Sequence, residues 1–280
     1  NCYIAITRNN KPIGWLLLFI PCLYGIISSS IYSGKIIQLE IIVLFLLGSI
    51  LMRSAGCIFN DIVDRKIDAR VERTKNRPLA NKTMSLFEAS LLLLVLLFFS
   101  LCILISLNTI TIIIGLTSII LVVTYPFMKR ITHWPQLFLG ITFNWGIIMG
   151  WTSISESLSP VIFLIYLSSI FWTLGYDTVY GYQDIVDDKI IGIKSTAVLF
   201  EKNPKVAIYT FYIISFLLMF MAMIWIGVGY KSFLVYLCAV MLGIVLLGKL
   251  NLREVKSCAR FFLANKYVGF LVVLALALSI

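Results

Sequence analysis

The chain has 280 residues, 60% apolar and 13% charged, against roughly 45–50% and about 25% in soluble domains. Mean hydropathy is +0.99 and the formal net charge is +10. These values exclude a soluble enzyme, a disordered chain and a disulfide scaffold, and leave lipid as the solvent.

A helix needs about 20 apolar residues to cross about 30 Å of hydrocarbon. Nine runs meet that length: 13–32, 36–58, 86–107, 109–128, 135–153, 160–181, 205–228, 231–248 and 261–280. The runs are continuous, as from Leu91 to Leu97 and Ile112 to Val123. The alternating pattern of a membrane barrel is absent. The expected fold is all-α: a polytopic bundle of about nine transmembrane helices around a central cavity. Residues 1–280 then form a single transmembrane domain with no room for a second, soluble one. The first run lacks a small-residue cleavage site and is read as a mature first helix rather than a removable signal.

Counted by connection, nineteen of the 23 Lys and Arg fall on one side. They occupy the N-terminus and the loops after spans two, four, six and eight. Lys35 and Lys231 fall on the other side, while Arg53 and Lys266 lie inside spans. Positive residues stay cytoplasmic during insertion. The N-terminus and the long loops are therefore expected in the cytoplasm, and the basic balance reports topology, with no nucleic-acid partner. The six cysteines show no metal-ligand spacing and read as small apolar residues. His133 is the sole histidine, so a histidine-rich metal site is excluded.

Seven of the 13 acidic residues lie in two clusters. The first is Asn60-Asp61-x-x-Asp64-x-x-x-Asp68, read as a helical continuation of span two. Spacings of three, four and seven put its carboxylates on one helix face. Like charges on one face repel, so the pattern points to a bound cation. Mg²⁺ takes oxygen ligands and bridges carboxylates to phosphates. The second cluster, Asp177-x-x-Tyr180-x-x-x-Asp184-x-x-Asp187-Asp188, repeats the spacing after span six. The alternative reading, loop acids paired with Lys or Arg for solubility, fits one such cluster better than two.

Cations are placed to match. Arg73, Lys75 and Arg77 follow the first cluster and Lys194 the second; arginine suits bidentate contact with phosphate. Arg53 lies seven residues before Asn60, two turns deeper on a similar face. A cation there faces a polar cavity or an anion, or makes a structural pair. Tyr125-Pro126-Phe127-Met128-Lys129-Arg130 closes span four on the same side, with Pro126 ending or kinking the helix. Gly146 and Gly150 in span five have a helix-packing spacing. Together these parts suit a lipid-borne diphosphate whose tail stays in the bilayer. An allylic cation left by its departure can be held by aromatic faces. Tyr125, Phe171, Trp172, Tyr176 and Tyr180 are the candidates, and membrane-interface anchoring is the competing role for each.

The two Asp-rich strings resemble those of the UbiA superfamily of intramembrane prenyltransferases. Arg53-Ser-Ala-Gly-Cys-Ile-Phe-Asn60-Asp61 and Arg73-Thr-Lys-Asn-Arg77-Pro-Leu are similar to the branch that prenylates 4-hydroxybenzoate. So are Tyr125-Pro-Phe-Met-Lys129-Arg130-x-x-x-x-Pro135-Gln136, Asp177-Thr-x-Tyr180, Gly192-Ile-Lys194-Ser195-Thr196-Ala197 and the entry Lys11-Pro-Ile-Gly-Trp-Leu. These segments cover about a third of the chain, from residue 8 to 200. After residue 200 only hydrophobicity is shared.

The resemblance implies Mg²⁺-dependent transfer of a polyprenyl group from polyprenyl diphosphate to carbon 3 of 4-hydroxybenzoate, in ubiquinone synthesis. Carried over residue by residue, it implies that Asn60, Asp61, Asp64, Asp68, Asp184 and Asp188 hold Mg²⁺ and diphosphate. Asp64, Asp184, Tyr125 and Lys129 would carry the chemistry, with Tyr125 near the allylic carbon. Arg73, Arg77, Lys129 and Lys194 would contact diphosphate, with Asp177 and Tyr180 as further polar contacts. Arg53 would orient the aromatic carboxylate, with Arg130 as a second candidate. Other acceptors, such as a menaquinone precursor or haem, are the rivals within the class. A headgroup phosphotransferase would show an Asp-Gly-x-x-Ala-Arg string, which is absent. A transporter would place its carboxylates near the bilayer midplane, whereas these lie at one rim. The compact loops favour a bacterial inner membrane over the mitochondrial one.

Overall fold

The computed structural model describes residues 2–280, and among them helix is the only regular structure. A short helix, α1 (Cys2–Thr7), precedes α2 (Ile13–Ser33), α3 (Leu39–Asp68), α4 (Leu86–Ile105) and α5 (Thr109–Thr124). A 3₁₀ turn, Tyr125–Phe127, leads into α6 (Met128–Ile131), then α7 (Pro135–Ser155) and α8 (Pro160–Gly181). Two short helices, α9 (Ile185–Ile191) and α10 (Thr196–Leu199), precede α11 (Pro204–Ile226), α12 (Tyr230–Gly248) and α13 (Val255–Ala277). Among the described residues nine helices are long and apolar enough to cross a membrane. The all-α, nine-span expectation therefore stands.

Local chemistry sets the ends. Ser85 and Glu88 form a reciprocal capping box at the start of α4, and the Asn108 side chain accepts from the Thr111 N–H to start α5. Pro135, Pro160 and Pro204 open α7, α8 and α11, where the missing N–H costs nothing. Gly34, Gly192 and Gly227 end helices in the left-handed conformation.

Two expectations need correction. The last span starts at Val255, not 261, because Lys256 and Arg260 are good helix formers that sit at a wet rim. Span four keeps its expected reach, and its helix breaks at Thr124 into the turn that Pro126 predicts. The second acidic cluster is not one helical stripe. α8 stops at Gly181 and a turn separates Asp177 from Asp184. Glycine is a weak helix former, and at the rim water relieves the backbone of its helical bonds.

Tertiary packing rests on small residues. Without a hydrophobic force between helices in lipid, close approach of backbones does the work. A Cβ on Gly150 would sit 2.5 Å from the Cys22 carbonyl oxygen of α2. Gly25 of α2 lies against the Ile147 carbonyl of α7, and Gly146 against the Cys22 sulfur. Gly175 of α8 admits the Tyr212 ring of α11, and Gly269 of α13 admits Trp172 and Ile20. Buried polar clamps reinforce these contacts. Asn265 accepts from Trp172 Nε1 at 2.9 Å and from the Tyr212 hydroxyl at 2.6 Å, and Tyr24 donates to the Gly269 carbonyl at 3.1 Å. By contrast α4 shows Phe87, Leu94 and Phe98 outward, as a lipid-facing helix should.

Gly150→Val should cost about 1–3 kcal/mol by overpacking against α2. A lower thermal midpoint in detergent, with Gly248→Val as an open-space control, checks this. An unchanged midpoint would mean that α2 and α7 can separate freely.

Candidate active site at the carboxylate rim

The α3 face carries Asp61, Asp64 and Asp68, all at most 5% exposed. Carboxylates so buried need counter-charge, and the chain supplies it from three other segments. Arg8, just after α1, donates to Asp61 Oδ1 at 2.6 Å. Arg77 donates to the same oxygen at 3.1 Å and to Asp68 Oδ2 at 2.7 Å. Lys129 donates to Asp64 Oδ2 at 2.5 Å and Arg130 to Asp64 Oδ1 at 3.2 Å. Lys129 and Arg130 of α6 thus hold both oxygens of one carboxylate.

The second cluster joins through Arg73. Its Nε donates to Asp184 Oδ1 at 2.7 Å, its Nη2 reaches Asp184 Oδ2, and its Nη1 donates to the Tyr180 hydroxyl at 2.9 Å. The guanidinium also lies 5.2 Å from the centre of the Tyr180 ring. Arg73 feels the charge of Asp68 as well, and Asp188 feels both Lys129 and Arg73. The two acidic clusters therefore face one shared set of cations. Burial, then the neighbouring Asp184, pushes the Asp188 carboxyl up to about 6.

Loops hold this rim in place. Thr74 donates to the Asp68 carbonyl at 2.9 Å, and the Glu72 N–H to Asp187 Oδ2 at 3.3 Å. The Lys194 N–H bonds the Lys129 carbonyl at 3.0 Å. Thr196 meets Thr178 of α8 at 2.7 Å, and its N–H bonds Gln136 Oε1 at 2.9 Å. The Gly192-to-Ala197 run thus acts as a strap between α6, α7 and α8. The Lys194 ammonium donates to the Ile131 carbonyl at 3.0 Å; it lies on the strap, outside the paired carboxylates.

Arg53 stands deeper. Its guanidinium lies 5.3 Å from the centre of the Phe143 ring, and its buried Nε has no partner. Gly14 makes room for it, since a Cβ there would come within 2.6 Å of that Nε. This explains the glycine of Lys11-Pro-Ile-Gly. Asp177 lies within electrostatic reach of Arg53 and Arg73, and Tyr125 within reach of Asp177, Arg53 and Asp64. Asn60 is half-buried on the α3 face.

Two contributions escaped the sequence reading. Arg8 counted only toward topology, yet it pairs with Asp61; its place five residues before α2, on the rim side, was the available signal. Phe262 of α13 lies 4.5 Å from the Tyr180 ring and 5.6 Å from Tyr176, in a region without motif. Arg130, a second candidate for the aromatic carboxylate, stands on Asp64 instead.

Among the described residues no three His, Cys, Asp or Glu converge into a ready metal shell. The donors nonetheless suit a hard divalent cation. They are carboxylate oxygens, and Asp61 Oδ2 is buried without a partner.

Fold and site define a polytopic membrane protein with an acidic–basic rim above a deeper arginine whose Nε has no hydrogen-bond partner among the described residues. The UbiA prenyltransferase family model matches residues 18–274. The rat mitochondrial 4-hydroxybenzoate polyprenyltransferase is 40% identical, over 99% of this chain and 74% of its own. The 4-hydroxybenzoate octaprenyltransferase of Yersinia pseudotuberculosis is 40% identical, over 99% and 95%, and that of Vibrio atlanticus 37%, over 99% and 96%. A solved UbiA homologue from Aeropyrum pernix K1 superposes with TM-score 0.80 at 24% identity, covering 92% of this chain and 96% of that one. A homologue from Archaeoglobus fulgidus bound to DMAPP and Mg²⁺ gives 0.71 at 20% identity, covering 98% and 99%. The chain belongs to the UbiA prenyltransferase family.

Arg73→Lys should lower turnover by about tenfold or more, because lysine loses both the fork to Asp184 and the stack on Tyr180. Initial rates of prenyl transfer measure this; a variant as fast as the parent would remove Arg73 from the site.

Proposed function

We infer that this chain is a 4-hydroxybenzoate polyprenyltransferase, joining a polyprenyl group from polyprenyl diphosphate to carbon 3 of the acceptor in ubiquinone biosynthesis. One observation carries the reading: relatives named for this reaction match 99% of the chain at about 40% identity. The nine spans act as one domain. The sided charge supports a cytoplasmic carboxylate rim, in the inner membrane of a bacterium.

The donor's diphosphate is read at the rim and its tail in the bilayer. Arg73, Arg77 and Lys129 bind phosphate oxygens as bidentate or point charges, with Lys194 behind them on the strap. Asn60, Asp61, Asp64 and Asp68 on one side and Asp184 and Asp188 on the other would hold Mg²⁺, which when bound neutralises the charge gathering on the departing diphosphate. The allylic C–O bond breaks and its electron pair leaves with the diphosphate. Tyr125 and Tyr180 offer ring faces to the carbocation. The unpaired Nε of Arg53 supports its role as the anchor of the acceptor's carboxylate, since a buried donor calls for an acceptor. The acceptor's own hydroxyl makes the adjacent ring carbon nucleophilic. That carbon forms the new C–C bond and releases its proton to water or to a carboxylate such as Asp177.

Purified protein in lipid, given labelled 4-hydroxybenzoate and a polyprenyl diphosphate, should form prenylated product with Mg²⁺ and none with EDTA. Diphosphate release without prenylated 4-hydroxybenzoate would reject this acceptor. Asp64→Ala and Asp184→Ala should each abolish turnover while the protein still inserts; normal activity in either would refute the metal assignment. Arg53→Ala should raise KM for 4-hydroxybenzoate well above any change in KM for the donor. Equal changes in both would place Arg53 elsewhere.

A further inference from the structure

Lys266 lies inside a membrane span and takes no part in the site described above. It is the twelfth residue of α13 and stands about 9 Å beyond Arg260 along the helix axis. Among the described residues it forms no ion pair and no hydrogen bond. Its ammonium rests 4.9 Å from the centre of the Tyr267 ring, a ring 57% exposed toward lipid. A ring face attracts a cation without neutralising it. A charged side chain in hydrocarbon is costly and marks a ligand or a partner charge.

No partner charge is at hand in the protein. α2, α12 and α13 carry no Asp or Glu. α8 carries only Asp177, which lies within electrostatic reach of Arg53 and Arg73. The anions that a bilayer itself offers are phosphates, carried on lipids. A lysine stem lets the ammonium rise along the helix toward that level.

Position on α13 narrows the ligand. Leu263, Tyr267, Phe270 and Leu274 form its lipid-exposed stripe, and Phe261, Asn265, Val268 and Val272 its buried one. Lys266 is half-buried, at the boundary between the two. One helical turn toward the rim, on the same side, stands Phe262, which packs on Tyr180. Tyr180 in turn underlies Arg73. Lys266 therefore stands one helical turn from the aromatic residues that lead to the Arg73 guanidinium.

We propose that Lys266 is a capture site for a lipid-borne phosphate group, and that its ligand is the diphosphate of the prenyl donor as it enters from the side of the bundle. The proposal rests on the prenyl diphosphate half of the functional reading and is independent of the acceptor.

The test is binding of a non-reactive polyprenyl thiodiphosphate, without acceptor, to the full chain in nanodiscs. One set of discs is pure phosphatidylcholine and the other contains phosphatidylglycerol. Lys266→Met should bind the analogue about fivefold more weakly in pure phosphatidylcholine, the effect of one lysine charge near an anionic group. Lys266→Arg should bind as the parent does, which separates lost charge from lost packing. Equal binding by Lys266→Met and the parent in pure phosphatidylcholine overturns the proposal. If the variant then differs only in retained phosphatidylglycerol, measured by native mass spectrometry, the ligand is bulk lipid and the donor assignment fails. A parent that binds the analogue through Lys266 but does not prenylate 4-hydroxybenzoate would leave this inference standing and reject the acceptor.

Discussion

Everything at the rim depends on how carboxylates are neutralised once burial takes them out of water. Asp61, Asp64 and Asp68 are nearly inaccessible, and each is met by a cation from outside α3. Removing one partner from such a set exposes the full desolvation cost of the other. The pairing therefore ties the residue after α1, the loop after α3 and helix α6 to α3, and Arg73 adds the start of α9. The same charges suit a phosphorylated substrate, because cations that hold carboxylates also hold phosphate oxygens. Stability and binding draw on one set of groups.

Below the rim the solvent changes, and so does the glue. Helices meet where glycine lets backbones touch, as at Gly25, Gly150 and Gly175. Buried amides and hydroxyls then fix rotation and depth, with Asn265 joining α8, α11 and α13. This places Trp172 edge-on to Tyr176, and Phe262 between Tyr176 and Tyr180. An aromatic wall thus runs from mid-membrane to Arg73. The wall explains how the last helix, with no motif of its own, takes part in the site.

Much of the site was legible because it is written with local periods. Three carboxylates at i, i+3 and i+7 share a face in any helix, and α3 runs unbroken from Leu39 to Asp68. The second cluster was legible in composition but not in shape. Its spacing looks helical, yet Gly181 and the rim break the helix before Asp184. Local spacing cannot report where water begins to compete for the backbone.

Amino-acid order alone determined the lipid solvent, the nine spans, the sidedness of charge and the pairs of acidic strings, since each is a local property of composition or period. Only the tertiary structure decided that Arg8 serves Asp61, that Arg130 joins Lys129 on Asp64, and that Arg53 keeps an unpaired donor beneath Gly14. It also decided that Phe262 lines the wall and that Lys266 forms no ion pair among the described residues. These are contacts between segments tens of residues apart. They follow from which helix faces meet once glycines and buried polar groups have set the packing, and no local pattern encodes that.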